Sequence, residues 1–331
     1  MYDCSEANPC GISYDTVNFI LPQNQIPRKN LYAFLPTLFD ENDEGNDYKN
    51  HGKLLSRTGR IEGLKVTVSR NAMSVKGQSL SKWYIGNNLQ AMSVADTQRA
   101  IERISDITHL DFSKAIVTRI DVAQNFIMEQ QPCEYFKQLG MCGGVKPSKM
   151  GDGVYYFIGK DTVLVFYDKS KEVLIRGRTS EYIPKEYAGK NILRFEKRYL
   201  RMVSKQLNWN DTITANMLYD RDFYTCLLQD WGSSYNQIQK INNHKLSFKD
   251  MVSSKDFKNE SIVYTVNSLG GYDEAIKEVN EARERGELTR KQAHDRRKLI
   301  EKAFNAIGCK TVTNSVICEL DQKIKEAMRI N

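Results

Sequence analysis

The hydrophobic pattern of this 331-residue chain changes period near residue 205, and that change limits the folds open to it. Before it, apolar residues recur in short period-two runs. Leu64-Lys65-Val66-Thr67-Val68-Ser69 alternates, and 72–77 can pair with it as a hairpin through Arg70-Asn71. Further strands are predicted over 14–21, 115–126, 153–158, 162–169 and 191–202, with the pair 153–158 and 162–169 joined at Gly159-Lys160-Asp161. Only 93–109, with Ala100, Ile101, Ile104 and Ile107 at helical spacing behind a Ser93 cap, and a short helix from Pro132 to Leu139 interrupt them. Residues 23–61, with the acidic run from Asp40 to Glu44, read as a long polar surface excursion.

Beyond 205 the period is helical. Helices are predicted over 214–231, 246–267, 272–285, 289–307 and 311–330, and Thr289 followed by Gln292 is a capping-box pattern. Strands clustered rather than strictly alternating with helices predict an α+β fold: an antiparallel-rich sheet domain over 1–205 and a helical region over 206–331.

Composition removes several function classes. Hydrophobic residues are 40% and charged residues 27% of the chain, which excludes general disorder. No run of 18 apolar residues predicts a membrane span, and the first residues lack the pattern of a secretory signal. The seven cysteines are scattered without a C-x-x-C pair, so a reducing cytoplasm is the expected location. The four histidines form neither His-x-His nor His-Glu-x-x-His, which removes the signatures of zinc hydrolases and of His-hydrophobe-His nicking enzymes.

The net charge is +7, and nearly all of it sits in one stretch. Residues 160–205 hold 12 basic and 6 acidic residues, whereas the segments on either side are almost neutral. Such a patch is either a solvated surface or the footprint of a polyanion site.

Three strings in or before that stretch could carry chemistry. In Thr118-Arg119-Ile120-Asp121-Val122-Ala123, alternation puts Arg119 and Asp121 on one face, and a strand carboxylate can ligate a hard metal or simply form an ion pair. In Val163-Leu164-Val165-Phe166-Tyr167-Asp168-Lys169-Ser170-Lys171, a persisting strand would put Tyr167, Lys169 and Lys171 on one face. Two ammonium groups there would favour the nucleophilic phenolate. In Leu193-Arg194-Phe195-Glu196-Lys197-Arg198-Tyr199-Leu200, Arg194, Glu196 and Arg198 share a face opposite Phe195 and Tyr199. They form either a salt-bridge ladder or a metal carboxylate beside phosphate-gripping arginines.

The order of these strings, with the early strand Val17-Asn18-Phe19-Ile20-Leu21-Pro22, resembles the replication initiators of the filamentous-phage gene II type. It is also similar to the related rolling-circle initiators of staphylococcal plasmids. The resemblance covers roughly 14–205, and the helical C-terminal part matches no string of either group. It implies that Tyr167 is the nucleophile, that Asp121 and Glu196 hold Mg²⁺ or Mn²⁺, and that Lys169 matches a basic residue just past the tyrosine. Tyr182, Tyr187 and Tyr199 are the other tyrosines of the basic stretch.

A protein of this kind is expected to nick one origin strand, keep the 5′ end as a phosphotyrosine, release a 3′-OH primer and later rejoin the strand. Arg119, Lys171, Arg194 and Arg198 are expected to contact DNA. The expected partners are single-stranded or supercoiled origin DNA, a host helicase and polymerase, and a second copy of the chain, with no membrane. The alternatives are a non-catalytic DNA-binding regulator of copy number or transcription, and a relaxase or transposase with the same chemistry.

Overall fold

The computed structural model describes residues 11–26, 35–40, 46–51, 53–69, 71–176, 183–240, 253–268, 272–307 and 315–329. Its centre is a ten-stranded sheet in which every pair is antiparallel. The strands are β1 (Ser13–Pro22), β2 (Asn46–Asn50), β3 (Lys53–Ile61), β4 (Leu64–Ser69), β5 (Ala72–Val75), β6 (Ile116–Met128), β8 (Ser148–Met150), β9 (Gly153–Ile158), β10 (Thr162–Asp168) and β11 (Asn191–Tyr199), in the order 2-3-4-5-1-6-11-10-9-8. A separate two-stranded pair joins β7 (Leu139–Cys142) to β12 (Ile238–Lys240). The fold is α+β, as predicted.

Alternation explains why this sheet has one apolar and one polar face. Ile120, Val122, Phe126, Leu164, Phe166, Leu193 and Phe195 are all buried in the main core. The Phe166 and Phe195 rings stack with centroids 4.3 Å apart. Helix α1 (Leu80–Ile85) starts at a Ser79 cap and ends at Gly86, whose φ of 82° suits a residue without Cβ. Helix α2 (Val94–Thr108) has the full capping box, Ser93 with Asp96, and buries Ala100, Ile101 and Ile104. Short helices follow at α3 (Pro132–Phe136), α4 (Lys169–Arg176) and α5 (Val203–Gln206).

Helix α6 (Arg221–Asn236) lays Phe223, Leu227, Trp231 and Tyr235 into the same core, with the Trp231 ring 4.9 Å from Phe195. The last helix, α10 (Ser315–Ala327), adds Ile317, Leu320 and Ile324 to that core. Between them, α7 (Ser254–Ser268), α8 (Tyr272–Glu284) and α9 (Arg290–Ile307) pack on one another around Val263 and Ala303. Thr289 and Gln292 form the predicted reciprocal cap of α9.

Several expectations need correction. The segment 23–61 is not one surface excursion: β2 and β3 form a hairpin that joins the sheet, with Thr58 and Thr67 hydroxyls 2.8 Å apart across β3–β4. The helix from Pro132 stops at Phe136, because 139–142 is drawn into pairing with β12. The predicted helix 214–231 is a 3₁₀ turn followed by α6, broken at Asp220, whose carboxylate caps the Phe223 N–H. Residues 246–252 and 311–314, parts of two predicted helices, lie outside the described residues. No described helix is long and apolar enough to cross a membrane.

Candidate functional site

The polar face of the sheet carries a cavity of about 940 Å³ lined by Asp15, Arg119, Asp121, Tyr167, Glu196 and Arg198, among others. Register brings these residues together. Asp121 on β6 lies directly across from Arg198 on β11, and Tyr167 on β10 lies across from Arg194 on β11. Opposed residues of an antiparallel pair share a face, so three strands deliver one constellation.

All four carboxylate oxygens at its centre are held by guanidinium groups. Arg119 grips Asp121 through both oxygens, at 2.9 and 2.5 Å. Glu196 accepts from Arg198 Nε at 2.6 Å and from Arg194 Nε at 3.4 Å. The two carboxylates are buried, at 2% and 3% exposure, whereas the side chains of Arg119 and Arg198 keep 28% and 29%. These two arginines therefore form the rim of the site and can turn toward an incoming anion.

Arg194 is different. Its side chain is 2% exposed and lies beneath the rim, bonded to Asp15 at 2.8 Å, the Asn88 carbonyl at 3.0 Å and Asn125 Oδ1 at 3.2 Å. Asp15 reaches it because the β1–β6 register shifts between Tyr14 and Val17, a bulge that re-aims the intervening side chains. Asn88 ties the layer together: its side chain also bonds Asp15 and Lys169, and its carbonyl accepts from Asn125.

Electrostatics follow from this burial. Desolvation, with the nearby Glu196 charge adding to it, raises the Asp121 carboxyl to about 6 against the pull of Arg119. Desolvation likewise raises the Tyr167 phenol well above its ordinary value, with Arg194 opposing and Glu196 and Asp15 reinforcing. The two lysines expected beside Tyr167 on a persisting strand do not stand on its face. The reason is that β10 ends at Asp168, whose carboxylate accepts the Lys171 N–H and starts α4. Lys169 consequently leaves the strand face. Its side chain is fully buried on Asn88 Oδ1 at 2.7 Å and on Glu172, and burial with the Arg194 charge lowers its ammonium to about 8. Lys171 sits at the surface, paired with Asp152 at 3.0 Å.

Among the other tyrosines, Tyr199 points to the core face and donates to Asp230 at 2.5 Å, and Tyr187 is buried in a small cluster with Val173 and Ile192. Tyr182 lies outside the described residues. Sequence reasoning missed Asp15, Asn88, Asn125 and Gly153. An Asp at the position of Asp168, where an amphipathic run begins, was the signal that the strand stops there.

The cavity thus brings together two buried carboxylates, ion-paired arginines and Tyr167 on an adjacent strand. A family model, the N-terminal region of the phage gene II replication-associated protein, matches residues 47–224, more than half of the chain. The chain belongs to that family and is a rolling-circle replication initiator of the gene II type, a DNA-nicking protein that binds at the replication origin. No curated protein is matched.

Proposed function

We propose that this initiator cuts one origin strand with Tyr167 as the nucleophile. The observation that carries the reading is the position of Tyr167, opposite Arg194 and in the same cavity as Asp121, Glu196 and the rim arginines. The Tyr167 oxygen forms a bond to phosphorus as the bond from phosphorus to O3′ breaks. The phenol proton passes to a cavity carboxylate or water, and the departing 3′ oxygen gains a proton to become the primer hydroxyl. The phosphotyrosine keeps the energy of the ester, so reversal rejoins the strand.

Arg119 and Arg198 leave their carboxylates for the phosphate and neutralise its growing charge. Their departure frees both Asp121 oxygens and Glu196 Oε1, while Arg194 keeps Glu196 Oε2. Two hard oxygen donors, with the remaining positions left to water and phosphate, suit Mg²⁺ or Mn²⁺, although no group of three His, Cys, Asp or Glu among the described residues is arranged for a metal. The mutual repulsion of the two carboxylates is what a cation there relieves. Such an ion supplies Lewis-acid polarisation of the phosphate. Arg194 and Lys169 act from beneath, holding Asp15 and Asn88 in position, and Lys171 contacts the DNA backbone at the rim.

The test mixes the chain with supercoiled DNA bearing its element's origin and Mg²⁺ or Mn²⁺. A nicked product covalently bound to protein, absent in Tyr167→Phe and in EDTA, is the expected result. Origin binding without any adduct would instead make the protein a regulator. An adduct that survives Tyr167→Phe would move the nucleophile elsewhere.

A further inference from the structure

The polar face of the sheet continues past Tyr167 onto β9 and β8, and what it carries there is aromatic. Gly153, Tyr155 and Phe157 on β9 lie across from Tyr167, Val165 and Val163 on β10, so all six share the outward face. The alternate residues Val154 and Tyr156 are buried in the core. Phe157 is 47% exposed, and the Tyr155 and Phe157 rings lie nearly parallel, 12° apart with centroids 6.2 Å from one another. Tyr155 itself lines the cavity, as does Met150 on β8, which is 53% exposed.

The half-buried Tyr155 ring, the exposed Phe157 ring and the exposed Met150 gather apolar surface on an otherwise polar face, which marks a candidate contact surface. The neighbours indicate its chemistry. Along a strand, residues two apart are about 7 Å apart, so Tyr155 lies one such step and Phe157 two steps from the level of Tyr167. Across β10 from this pair, Arg198 on β11 stands in the same row as Phe157, with Val163 between them, and Arg119 lies beyond on β6, bonded to the Asp121 that faces Arg198. An occupant lying across β10 meets cations on the β11 side and flat aromatic faces on the β9 side, so it must carry phosphate and a π-face together. In duplex DNA the base faces are covered by their neighbours, whereas an unpaired strand offers them.

We infer that Tyr155 and Phe157 form a stacking platform for unpaired bases flanking the phosphate presented to Tyr167. The inference rests on the reading of that cavity as the DNA-cutting site. The platform holds the opened form of the strand without reading its sequence, because every base has a π-face.

The test uses the full chain and two fluorescein-labelled probes, a 20-nucleotide oligo(dT) and a 20-base-pair duplex, followed by anisotropy. Tyr155→Leu and Phe157→Leu keep apolar bulk and remove the ring. Each is expected to weaken oligo(dT) binding about 5- to 100-fold and to change duplex binding less than twofold. Phe157→Trp is expected to retain oligo(dT) affinity, and its added emission should be quenched by oligo(dT) but not by duplex. Urea unfolding checks that each variant is folded. Leucine variants that bind oligo(dT) like the parent, or lose both probes equally, would overturn the platform. Tyr167→Phe in the same assay separates the two readings: it should bind oligo(dT) normally yet form no adduct with origin DNA. If that variant still forms an adduct while the leucine variants lose oligo(dT), the nucleophile is wrong and the platform stands.

Discussion

Gly153 lies directly across the β9–β10 ladder from Tyr167, and a Cβ placed on it would come within 3.1 Å of the Tyr167 Cβ. The same atom would meet the Phe166 carbonyl oxygen at 2.9 Å and the Tyr155 ring at 3.1 Å. Backbone cannot yield as a side-chain tip can, so the contact must be relieved by moving β9 away from β10. Gly153→Ala is therefore expected to cost about 1–3 kcal/mol in urea unfolding. It should also slow origin nicking by more than the lost stability explains, because it shifts the nucleophile itself. A variant with parental stability and nicking rate would mean that Gly153 is incidental.

Asp121 sets a pH dependence whose sign follows from burial. Its carboxyl titrates near 6, above the ordinary aspartate value of 3.8. Between those values the native state binds more protons than the unfolded one, so stability falls as pH rises through about 4 to 6. Keeping Asp121 ionised at pH 7 thus costs on the order of 3 kcal/mol. Asp121→Asn should melt higher than the parent at pH 7.5, lose most of that pH slope and lose nicking. In the parent, nicking should decline below pH 6 as the carboxyl protonates and no longer competes for a cation. An unchanged melting profile in the Asn variant would refute the assignment.

These two sites mark how far the residues could be read without coordinates. The facings of Asp121 beside Arg119 and of Glu196 between Arg194 and Arg198 were legible because strand alternation fixes them and their strands proved continuous, whereas only the family resemblance put the two carboxylates in one site. The α+β pattern was legible because strand-period runs cluster before residue 205 and helical periods follow it, and the elements found there keep that division. Lys169 was misplaced because one residue, Asp168, ends the strand by capping the next helix, and a single cap reverses every facing beyond it. Asp15 and Asn88 were invisible for a different reason. They reach Arg194 across 179 and 106 residues of chain, one through a bulge and the other from a loop, and neither arrangement leaves a periodic trace. Gly153 had no signal, because its role is the space it leaves.

Arg194 should not tolerate lysine. Its fork bonds Asp15, Asn88, Asn125 and Glu196 from one buried position. An ammonium group is a single point charge and cannot reach all four. Arg194→Lys is expected to lose about 2–4 kcal/mol, with Asp15 left buried and poorly paired. Double-mutant analysis with Asp15→Asn checks this: the pair should couple by more than about 1 kcal/mol. Additive losses would show that Arg194 holds Asp15 only loosely.

Lys169 offers the opposite outcome, a buried charge whose removal stabilises. Its ammonium titrates near 8 rather than 10.5, so the native state releases that proton before the unfolded chain does. The unfolded state then binds more protons between about 8 and 10.5, and stability rises with pH across that window. Below it, the buried charge weighs against folding despite Glu172 and Asn88. Lys169→Met keeps similar bulk without the charge, and is expected to raise stability at pH 7 by about 1–3 kcal/mol and to flatten the alkaline rise. It also removes the donor that fixes Asn88 Oδ1, and Asn88 in turn supports Asp15 and Arg194. Nicking should therefore fall while the melting temperature climbs, a separation that a purely structural lysine would not produce. Equal or faster nicking in a more stable Lys169→Met protein would remove Lys169 from the supporting layer.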